Sequence, residues 1–466
     1  MVSVPAVVIA APASGSGKTT LATGLIGALR RAGHQVAPFK VGPDYIDPGY
    51  HGLAAGRPGR NLDPVLVGED RVVPLYRHGA RGCDIAIVEG VMGLFDGRID
   101  ENRSDAIAEG STAQVAGLLG APVVLVVDAR GHSQSLAALL HGFATFDSSV
   151  RLGGVILNRV GSERHEQVLR AACDRVGLPV LGSLPRMAEL EVPSRHLGLI
   201  PAVEHGAAAT AAVDAMTELV AAHVDLHAIV AMAVGSVSGD AWDPVAELAA
   251  AEHCAREAEP VSTAEGPLVA MAGGSAFTFG YAEHRELLAA AGARVVVFDP
   301  LFDELPDGTA GLVLPGGFPE EHAGQLSAND RLRNAVADGA ASGLPIHAEC
   351  AGLLYLTRSL DGHPMAGVID ADAEFGPRLT LGYRDAVALH DSVLWRAGAR
   401  VRGHEFHRTR LSRTGAENAA WGWRAPGSVA EGAVVGQVHA SYLHTHPAGN
   451  PDAIARFVSA ASRFDH

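Results

Sequence analysis

The segment Ser14-Gly15-Ser16-Gly17-Lys18-Thr19-Thr20 constrains the fold of this chain more than any other feature. It separates the apolar run Ala6–Ala10 from a helical pattern. Glycines at such a junction let backbone N–H groups surround phosphate oxygens, and the start of a helix favours negative charge. The segment therefore predicts a phosphate-binding loop, with Lys18 at the β/γ-phosphates and Thr19 as a Mg²⁺ ligand. Pro12 stands where the strict motif has its first glycine.

Apolar runs alternate with helical patterns through the first half of the chain. The runs are rich in Val, Ile and Leu without alternating polar residues, as in strands covered on both faces. They predict an α/β fold, with a doubly wound parallel sheet over residues 1–200. The predicted strands are Ala6–Ala10, Val36–Val41, Asp84–Val88, Pro122–Asp128, Gly154–Leu157 and Pro179–Leu184, and helices are expected at Thr19–Arg31 and Ser111–Leu119.

A second α/β series begins at Pro267 and predicts another domain over residues 267–466. Two domains are expected because a chain of 466 residues exceeds what one hydrophobic core usually supports. Residues 201–266 change from Ala-rich helical sequence to Glu, Ala, Ser and Thr, which predicts closing helices and a linker. The predicted strands of the second domain are Leu268–Met271, Arg294–Phe298, Gly311–Leu314, Pro345–His347, Leu381–Leu389, His404–His407 and Val434–His439.

The charge balance narrows the classes of function. Acidic residues outnumber Lys and Arg by 52 to 36, which gives a formal net charge of −16. Because no long Lys/Arg block occurs, we expect no nucleic-acid partner and no binding to an anionic membrane. The four cysteines show no CxxC spacing, which is typical of a reducing compartment. We therefore expect a cytoplasmic enzyme.

Acidic side chains follow the strands beside the phosphate loop. Glu89 comes directly after the third predicted strand and is placed to complete a Mg²⁺ site with Thr19. The second strand runs into Asp44, Tyr45 and Asp47, at the edge where open α/β sheets bind ligands. A Pro-rich turn would use the same residue types, so the sequence alone leaves both interpretations open.

Cys350 lies between a predicted strand and a helical pattern, in His347-Ala348-Glu349-Cys350-Ala351-Gly352-Leu353. A sharp strand-to-helix turn exposes a nucleophile, although a lone buried cysteine is usually inert packing. Gly316 and Gly317 follow another strand and can offer N–H groups to an oxyanion. His444 ends a later strand and can act as a base. Together these residues predict a Cys–His nucleophilic pair.

These motifs resemble the cobyrinic acid a,c-diamide synthases, a family that includes enzymes acting on hydrogenobyrinic acid. The similarity extends from the Ser14–Thr20 loop to Tyr442–His446. The resemblance implies a dethiobiotin-synthetase-like P-loop domain followed by a class I glutamine amidotransferase domain. The most specific segments are Val41-Gly42-Pro43-Asp44-Tyr45-Ile46-Asp47-Pro48, Val88-Glu89-Gly90-Val91-Met92-Gly93-Leu94-Phe95-Asp96-Gly97, Glu349-Cys350 and Arg402-Gly403-His404-Glu405-Phe406-His407.

The resemblance implies a reaction and its partners, which are a corrinoid, L-glutamine and ATP. Cys350, with His444 raising its nucleophilicity, would release ammonia from glutamine through a thioester. The first domain would use ATP and Mg²⁺ to phosphorylate the c and a acetate carboxylates of the corrin ring, and ammonia would capture each acyl phosphate. The sequence allows a homodimer without requiring one.

The resemblance also assigns residues of the first domain. Asp44, Tyr45 and Asp47 would lie where the corrinoid carboxylate meets the γ-phosphate. Asp44 is the aspartate expected to join Thr19 and Glu89 at the metal, and the choice between Asp44 and Asp47 stays open. Asn158 occupies the position that contacts adenine.

The chain departs at one position from the typical class I triad and at two positions from the residues expected of the family. His446 stands where a typical class I triad has a Glu, as in this family generally, so the Cys–His pair works without that Glu or uses another orienting group. Ala351 replaces a glycine after the nucleophile, and Arg408 replaces an aromatic residue.

Two rival functions follow from the same motifs. One is a sister ligase, such as cobyric acid synthase or a nickel-sirohydrochlorin a,c-diamide synthase. The other is a ParA/MinD-like nucleotide switch with an inactive second domain. The Pro12-Ala13-Ser14 segment lacks the early lysine of such switches, and Cys350 and His444 are both present.

Overall fold

The computed structural model describes residues 3–99, 107–186, 194–195, 198–199, 201–254, 266–412, 418–425 and 427–464. The chain divides into two compact units, Met1–Trp242 and Asp243–His466. Helices that follow residue 200 belong to the first unit up to Met232, and the helix Pro244–Cys254 belongs to the second. The narrower limits 1–200, 201–266 and 267–466 stay predictions.

A seven-stranded, fully parallel sheet forms the centre of the first unit, in the order β3-β2-β4-β1-β5-β6-β7. Its central strands are buried along their whole length, as their largely apolar sequences predicted. The strands are β1 Ala6–Ala10, β2 Val36–Val41, β3 Arg60–Leu62, β4 Ile85–Glu89, β5 Val123–Asp128, β6 Leu152–Val160 and β7 Val180–Pro185, with a short hairpin of β8 Ser194–Arg195 and β9 Gly198–Leu199.

Some helices of the first unit begin at a residue whose side chain caps the helix. The side chain of Ser111 accepts a hydrogen bond from the Gln114 N–H, and Ser162 accepts one from His165. The helices are α1 Lys18–Arg31, α2 Asp47–Ala55, α3 Pro64–Val67, α4 Glu69–Gly79, α5 Thr112–Leu119, α6 Leu136–Thr145, α7 Glu163–Asp174, α8 Ala202–His205, α9 Ala207–His223 and α10 Leu226–Met232. Because the strands are parallel, their carboxyl ends place the segments after β1, β2 and β4 at one edge of the sheet.

The second unit contains a six-stranded sheet in the order β11-β10-β12-β13-β21-β20, parallel except for its last pair. A mixed seven-stranded sheet contains the other strands. The strands are β10 Leu268–Ala272, β11 Arg294–Phe298, β12 Thr309–Leu314, β13 Ile346–Glu349, β14 Thr357–Leu360, β15 His363–Pro364, β16 Ile369–Ala388, β17 Arg400–Leu411, β18 Trp421–Ala425, β19 Gly427–Glu431, β20 Ala433–Val435, β21 Val438–Ser441 and β22 His444–Thr445.

The helices of the second unit pack against its strands or against one another. They are α11 Pro244–Cys254, α12 Ala282–Ala290, α13 Ala323–Ala328, α14 Asp330–Ala341, α15 Ala351–Leu356 and α16 Pro451–Ala461, with 3₁₀ turns at Pro319–His322 and Pro447–Gly449. None of the helices in the described ranges is long and apolar enough to cross a membrane.

One strand prediction in this unit is wrong. The run Val434–His439 is two antiparallel strands, because the chain reverses at Gly436, whose φ of 55° favours glycine. The reversal places β21 beside β13 and so brings the segment after Ser441 to the strand that ends before Cys350.

Candidate active sites

The phosphate loop of the first unit is shaped by glycines with left-handed backbone. Gly15 has φ 77° and Gly17 has φ 98°, and α1 begins directly after Gly17. A Cβ on Gly17 would overlap the side chain of Asn158, whose amide donates to the Ser16 carbonyl at 2.9 Å. Asn158, predicted to contact adenine, therefore lies against the loop itself.

Thr19 and Glu89 meet beside this loop. Thr19 Oγ1 lies 2.7 Å from Glu89 Oε1 and 3.2 Å from Asp47 Oδ2. Lys18 Nζ donates to the Met92 carbonyl at 2.5 Å. The structure thus brings the loop, the end of β4 and the start of α2 together, and the hydroxyl and carboxylate oxygens are the hard donors that suit Mg²⁺.

Lys40 and His51 complete this cluster, and neither was predicted from the sequence. Lys40 Nζ lies 2.8 Å from Asp47 Oδ2 and 2.9 Å from Glu89 Oε1, and His51 Nε2 lies 2.7 Å from Glu89 Oε2. Lys40, Glu89 and His51 are all buried. A lysine inside the apolar strand β2 was a usable signal, because buried lysines are almost always paired.

The buried charged groups of this cluster shift one another's pKa values. Burial favours the neutral form of Glu89, but Lys40 and His51 outweigh it and lower the pKa of Glu89 to about 2. Burial and the neighbouring Asp44 raise the pKa of Asp47 to about 6. Burial opposes the charge of Lys40, yet Asp47 and Glu89 prevail and raise its pKa. One fully buried carboxylate is therefore held ionised by a buried cation.

The two aspartates after β2 have different surroundings. Asp44 Oδ1 accepts hydrogen bonds from the backbone N–H groups of Ile46 and Asp47, at 2.8 and 2.9 Å, so it supports the turn into α2. Asp47 instead faces Thr19 and Lys40. Tyr45, which stands between the two aspartates in the sequence, is half-buried. The metal role of Asp44 and the substrate role of all three residues stay predictions.

Cys350 lies on a strained turn between β13 and α15. Its φ of 49° is rare for a residue with a side chain, and its N–H donates to the Ser441 carbonyl at 2.7 Å. A Cβ on Gly352 would overlap the Leu314 carbonyl oxygen, so helix and strand approach closely here. This is the strand-to-helix elbow that the sequence predicted.

The surroundings of the thiol keep it neutral at rest. Burial, followed by the charge of Glu320, raises the pKa of Cys350, while hydrogen bonds from the backbone of Ala351 and Gly317 oppose the rise. A Cβ on Gly316 would overlap the His444 ring. Of the two predicted oxyanion glycines, Gly317 therefore lies beside the Cys350 sulfur and Gly316 beside the His444 imidazole.

His444 is fully buried and lies close to the residue before the nucleophile. Its Nδ1 is 3.6 Å from Glu349 Oε2. His446, at the position of the absent triad Glu, accepts a hydrogen bond at Nδ1 from the Ala448 N–H. The Glu349-Cys350 pair is a specific sequence motif, but nothing in the sequence indicated that Glu349 would lie beside His444.

The two histidines of β17 have separate surroundings. His404 lies opposite His444 in the ladder, and burial lowers its pKa to about 3. His407 stacks on Tyr442 with ring centroids 3.7 Å apart. Among the described residues, no group of three or more His, Cys, Asp or Glu side chains could hold a metal ion.

Comparison with known protein families matches both units. Residues 7–200 match the CobQ/CobB/MinD/ParA nucleotide binding domain, and residues 269–451 match the CobB/CobQ-like glutamine amidotransferase domain. These matches confirm the predicted fold class, a P-loop parallel-sheet domain followed by a glutamine amidotransferase domain.

Relatives align with this chain over nearly its whole length. A hydrogenobyrinate a,c-diamide synthase of Mycobacterium tuberculosis is 62% identical over 462 residues, which cover 98% of each chain. One from Streptomyces coelicolor is 58% identical and covers 98% of this chain and 97% of the relative. A cobyrinate a,c-diamide synthase of Gloeobacter violaceus is 42% identical, with 97% and 96% covered. The resemblance seen in the sequence is confirmed, and the chain belongs to the a,c-diamide synthase family.

Proposed function

We propose that this chain is an ATP- and glutamine-dependent ligase that amidates the a and c acetate carboxylates of a corrinoid in cobalamin biosynthesis. One observation carries the proposal: a single chain holds both a phosphate loop with a buried acidic cluster and a cysteine elbow with a buried histidine. Phosphoryl activation of a carboxylate and release of ammonia from glutamine need these two kinds of site.

The first unit would activate the carboxylate. Lys18 and the N–H groups of the Ser14–Thr20 loop would bind the phosphates of ATP. Thr19, Glu89 and Asp47 would hold Mg²⁺, which would neutralise the charge of the phosphoryl group during transfer. Lys40 would keep Glu89 ionised. The substrate carboxylate would attack the γ-phosphorus, ADP would leave, and an acyl phosphate would form.

Asp47 is the better candidate than Asp44 for the metal, because the Oδ1 of Asp44 is engaged by backbone N–H groups. We expect Asp47→Asn to weaken Mg²⁺ dependence more than Asp44→Asn does. Titration of ATP-dependent amidation with Mg²⁺ measures the difference. Equal Mg²⁺ requirements in the two variants, or a larger shift for Asp44→Asn, would contradict this assignment.

The second unit would release ammonia. His444 would take the proton of the Cys350 thiol as the sulfur attacks the carboxamide carbon of glutamine. The C–N bond would break, ammonia would leave with a proton, and water would hydrolyse the thioester to glutamate. Backbone N–H groups near Gly317 would stabilise the oxyanion of each tetrahedral intermediate.

The metal-free corrinoid hydrogenobyrinate is the favoured substrate. The relatives with the higher identities quoted above, 62% and 58%, are named for it, whereas the relative at 42% is named for cobyrinate. Because an identity of this kind reflects the whole chain, the choice needs a direct test. We propose that the enzyme acts in the cytoplasm, as the cysteine usage suggests.

The decisive experiment supplies ATP, glutamine and either hydrogenobyrinate or cobyrinate, and follows the product by mass spectrometry. We expect two successive OH-to-NH₂ exchanges on one corrinoid, faster on the metal-free ring. Cys350→Ala should abolish the glutamine-dependent reaction and retain the ammonium-dependent one. ATP hydrolysis without amidation of either corrinoid would refute the proposed function and favour a sister ligase or a nucleotide switch.

A further inference from the structure

The base of the second site lacks the orienting carboxylate expected from its sequence position. A class I triad would have a Glu at residue 446, but His446 is there, fully buried. Its Nδ1 accepts the N–H of Ala448 at 3.2 Å and so caps a 3₁₀ turn. The Nδ1 of this imidazole is thus engaged by the backbone, and residue 446 supplies no carboxylate.

Glu349 lies where such a group is needed. Its Oε2 is 3.6 Å from His444 Nδ1, and its Oε1 accepts from the Thr445 N–H at 3.1 Å and from Thr445 Oγ1 at 3.0 Å. His347 Nε2 lies 3.2 Å from the same Oε1. The Oε1 atom of Glu349 is therefore held by Thr445 and His347, and its Oε2 atom faces the ring of His444.

The fold fixes this arrangement through two strands. Glu349 ends β13 and is paired with Ser441 of β21. Cys350 then donates its N–H to the Ser441 carbonyl, and the chain continues from Ser441 to His444. The carboxylate of Glu349 and the nucleophile Cys350 are adjacent residues at the end of β13, and the base His444 follows the neighbouring strand β21.

Glu349 remains ionised in this buried site. Burial favours the neutral acid, but the hydrogen bond with His347 and the nearby His444 outweigh it and hold the pKa of Glu349 well below its usual range. Two further histidines nearby do not compete for the charge. Burial and the neighbouring His347 lower the pKa of His284 and of His439 to about 3, so both are neutral.

We infer that Glu349, the residue before the nucleophile, is the positioning residue that replaces the absent triad carboxylate. This inference rests on the proposed glutaminase chemistry. By accepting the Nδ1–H of His444, Glu349 would fix the tautomer whose Nε2 lone pair takes the thiol proton. That proton would pass from Sγ to Nε2 and then to the departing ammonia, while Glu349 gains and loses none. The 3.6 Å separation would shorten when substrate binds, as catalytic hydrogen bonds often do.

Glu349→Gln tests this role, because its amide can keep the contacts with Thr445 while it presents an N–H to Nδ1 and favours the wrong tautomer. We expect the glutaminase kcat to fall about 10²–10⁴-fold. The KM for glutamine should stay within about threefold, since no substrate contact is lost. Ammonium-dependent amidation should persist. The matched control is Glu431→Gln, another buried carboxyl of the same unit, which should retain its glutaminase activity.

A glutaminase kcat of folded Glu349→Gln within about twofold of the parent value would overturn the inference. So would a loss expressed only in KM. If Glu349→Gln does not fold, Glu349→Asp carries the test: its carboxylate is withdrawn by one methylene, so kcat should fall at least about tenfold with KM unchanged. An unaltered kcat in that variant would also overturn it. Cys350→Ala separates the two proposals, because glutaminase activity that survives this change would refute the proposed chemistry itself.

Discussion

Glu431 gives the sharpest prediction about stability in the second unit. It ends β19 opposite Trp421, and its Oε1 accepts the Tyr442 N–H at 2.6 Å. No hydrogen-bond partner reaches its buried Oε2 among the residues that the structure describes. Burial, followed by the charge of Glu405, raises the pKa of Glu431 from 4.5 to about 8. The folded protein therefore holds a proton here that the unfolded chain releases at neutral pH.

The sign and size of the effect follow from linkage. Between pH 4.5 and 8 the native state binds more protons at Glu431 than the unfolded state does, so the free energy of unfolding falls as pH rises. The slope from one such group is at most about 1.4 kcal/mol per pH unit. Over this window it amounts to roughly 3–5 kcal/mol, a large share of the stability of an ordinary domain. Below pH 4.5 the free energy of unfolding no longer depends on pH through this group, because Glu431 is protonated in both states.

Glu431→Gln removes this linkage and retains the acceptor for Tyr442. We expect the variant to unfold at higher denaturant than the parent at pH 8, and with little difference at pH 5. Tryptophan emission is a suitable probe, since Trp421 lies opposite the site and three of the four tryptophans lie in the second unit. A difference in unfolding free energy that stays constant from pH 5 to pH 8 would refute the reasoning.

Two further predictions concern the first unit. Lys40→Met should abolish ATP-dependent amidation and spare the glutaminase reaction. It should also lower the free energy of unfolding by about 3–5 kcal/mol in denaturant titration, because it leaves Glu89 buried without its cation. Arg31→Met, at an exposed ion pair, is the control and should change stability by less than about 1 kcal/mol. Gly17→Ala should impair amidation more than Gly15→Ala, because both positions have positive φ but only Gly17 has a side chain, that of Asn158, in the space a Cβ would need. Equal steady-state rates for the two glycine variants would contradict that account.

Sequence patterns predicted the parallel strands well because burial on both faces leaves a local signature. The strands β1 and β2 have the predicted bounds, and β4 differs from its prediction by one residue at each end. The phosphate loop and the cysteine elbow were predictable for a similar reason. Each depends on a strand-to-helix junction, whose glycines or small residues are neighbours in sequence.

Contacts between distant segments left weaker signals. The reversal at Gly436 was missed because only two residues, Gly436 and Gln437, separate the two arms of the hairpin. Lys40 was missed because its partners are supplied by α2 and by β4, and a strand pattern does not show which carboxylates will meet a buried amine. The sequence identified most of the reacting groups, whereas the groups that set their charges required the fold.

The second site shows why that difference matters for chemistry. A thiol whose pKa is raised by burial is a poor nucleophile until a base removes its proton. A buried imidazole can do so only if the resulting positive charge is balanced, because an unpaired buried ion is costly. Glu349 lies within ion-pair distance of His444 and is held in place by Thr445. The Cys–His pair that the sequence predicts is thus incomplete by itself, and the carboxylate that completes it lies one residue before the nucleophile.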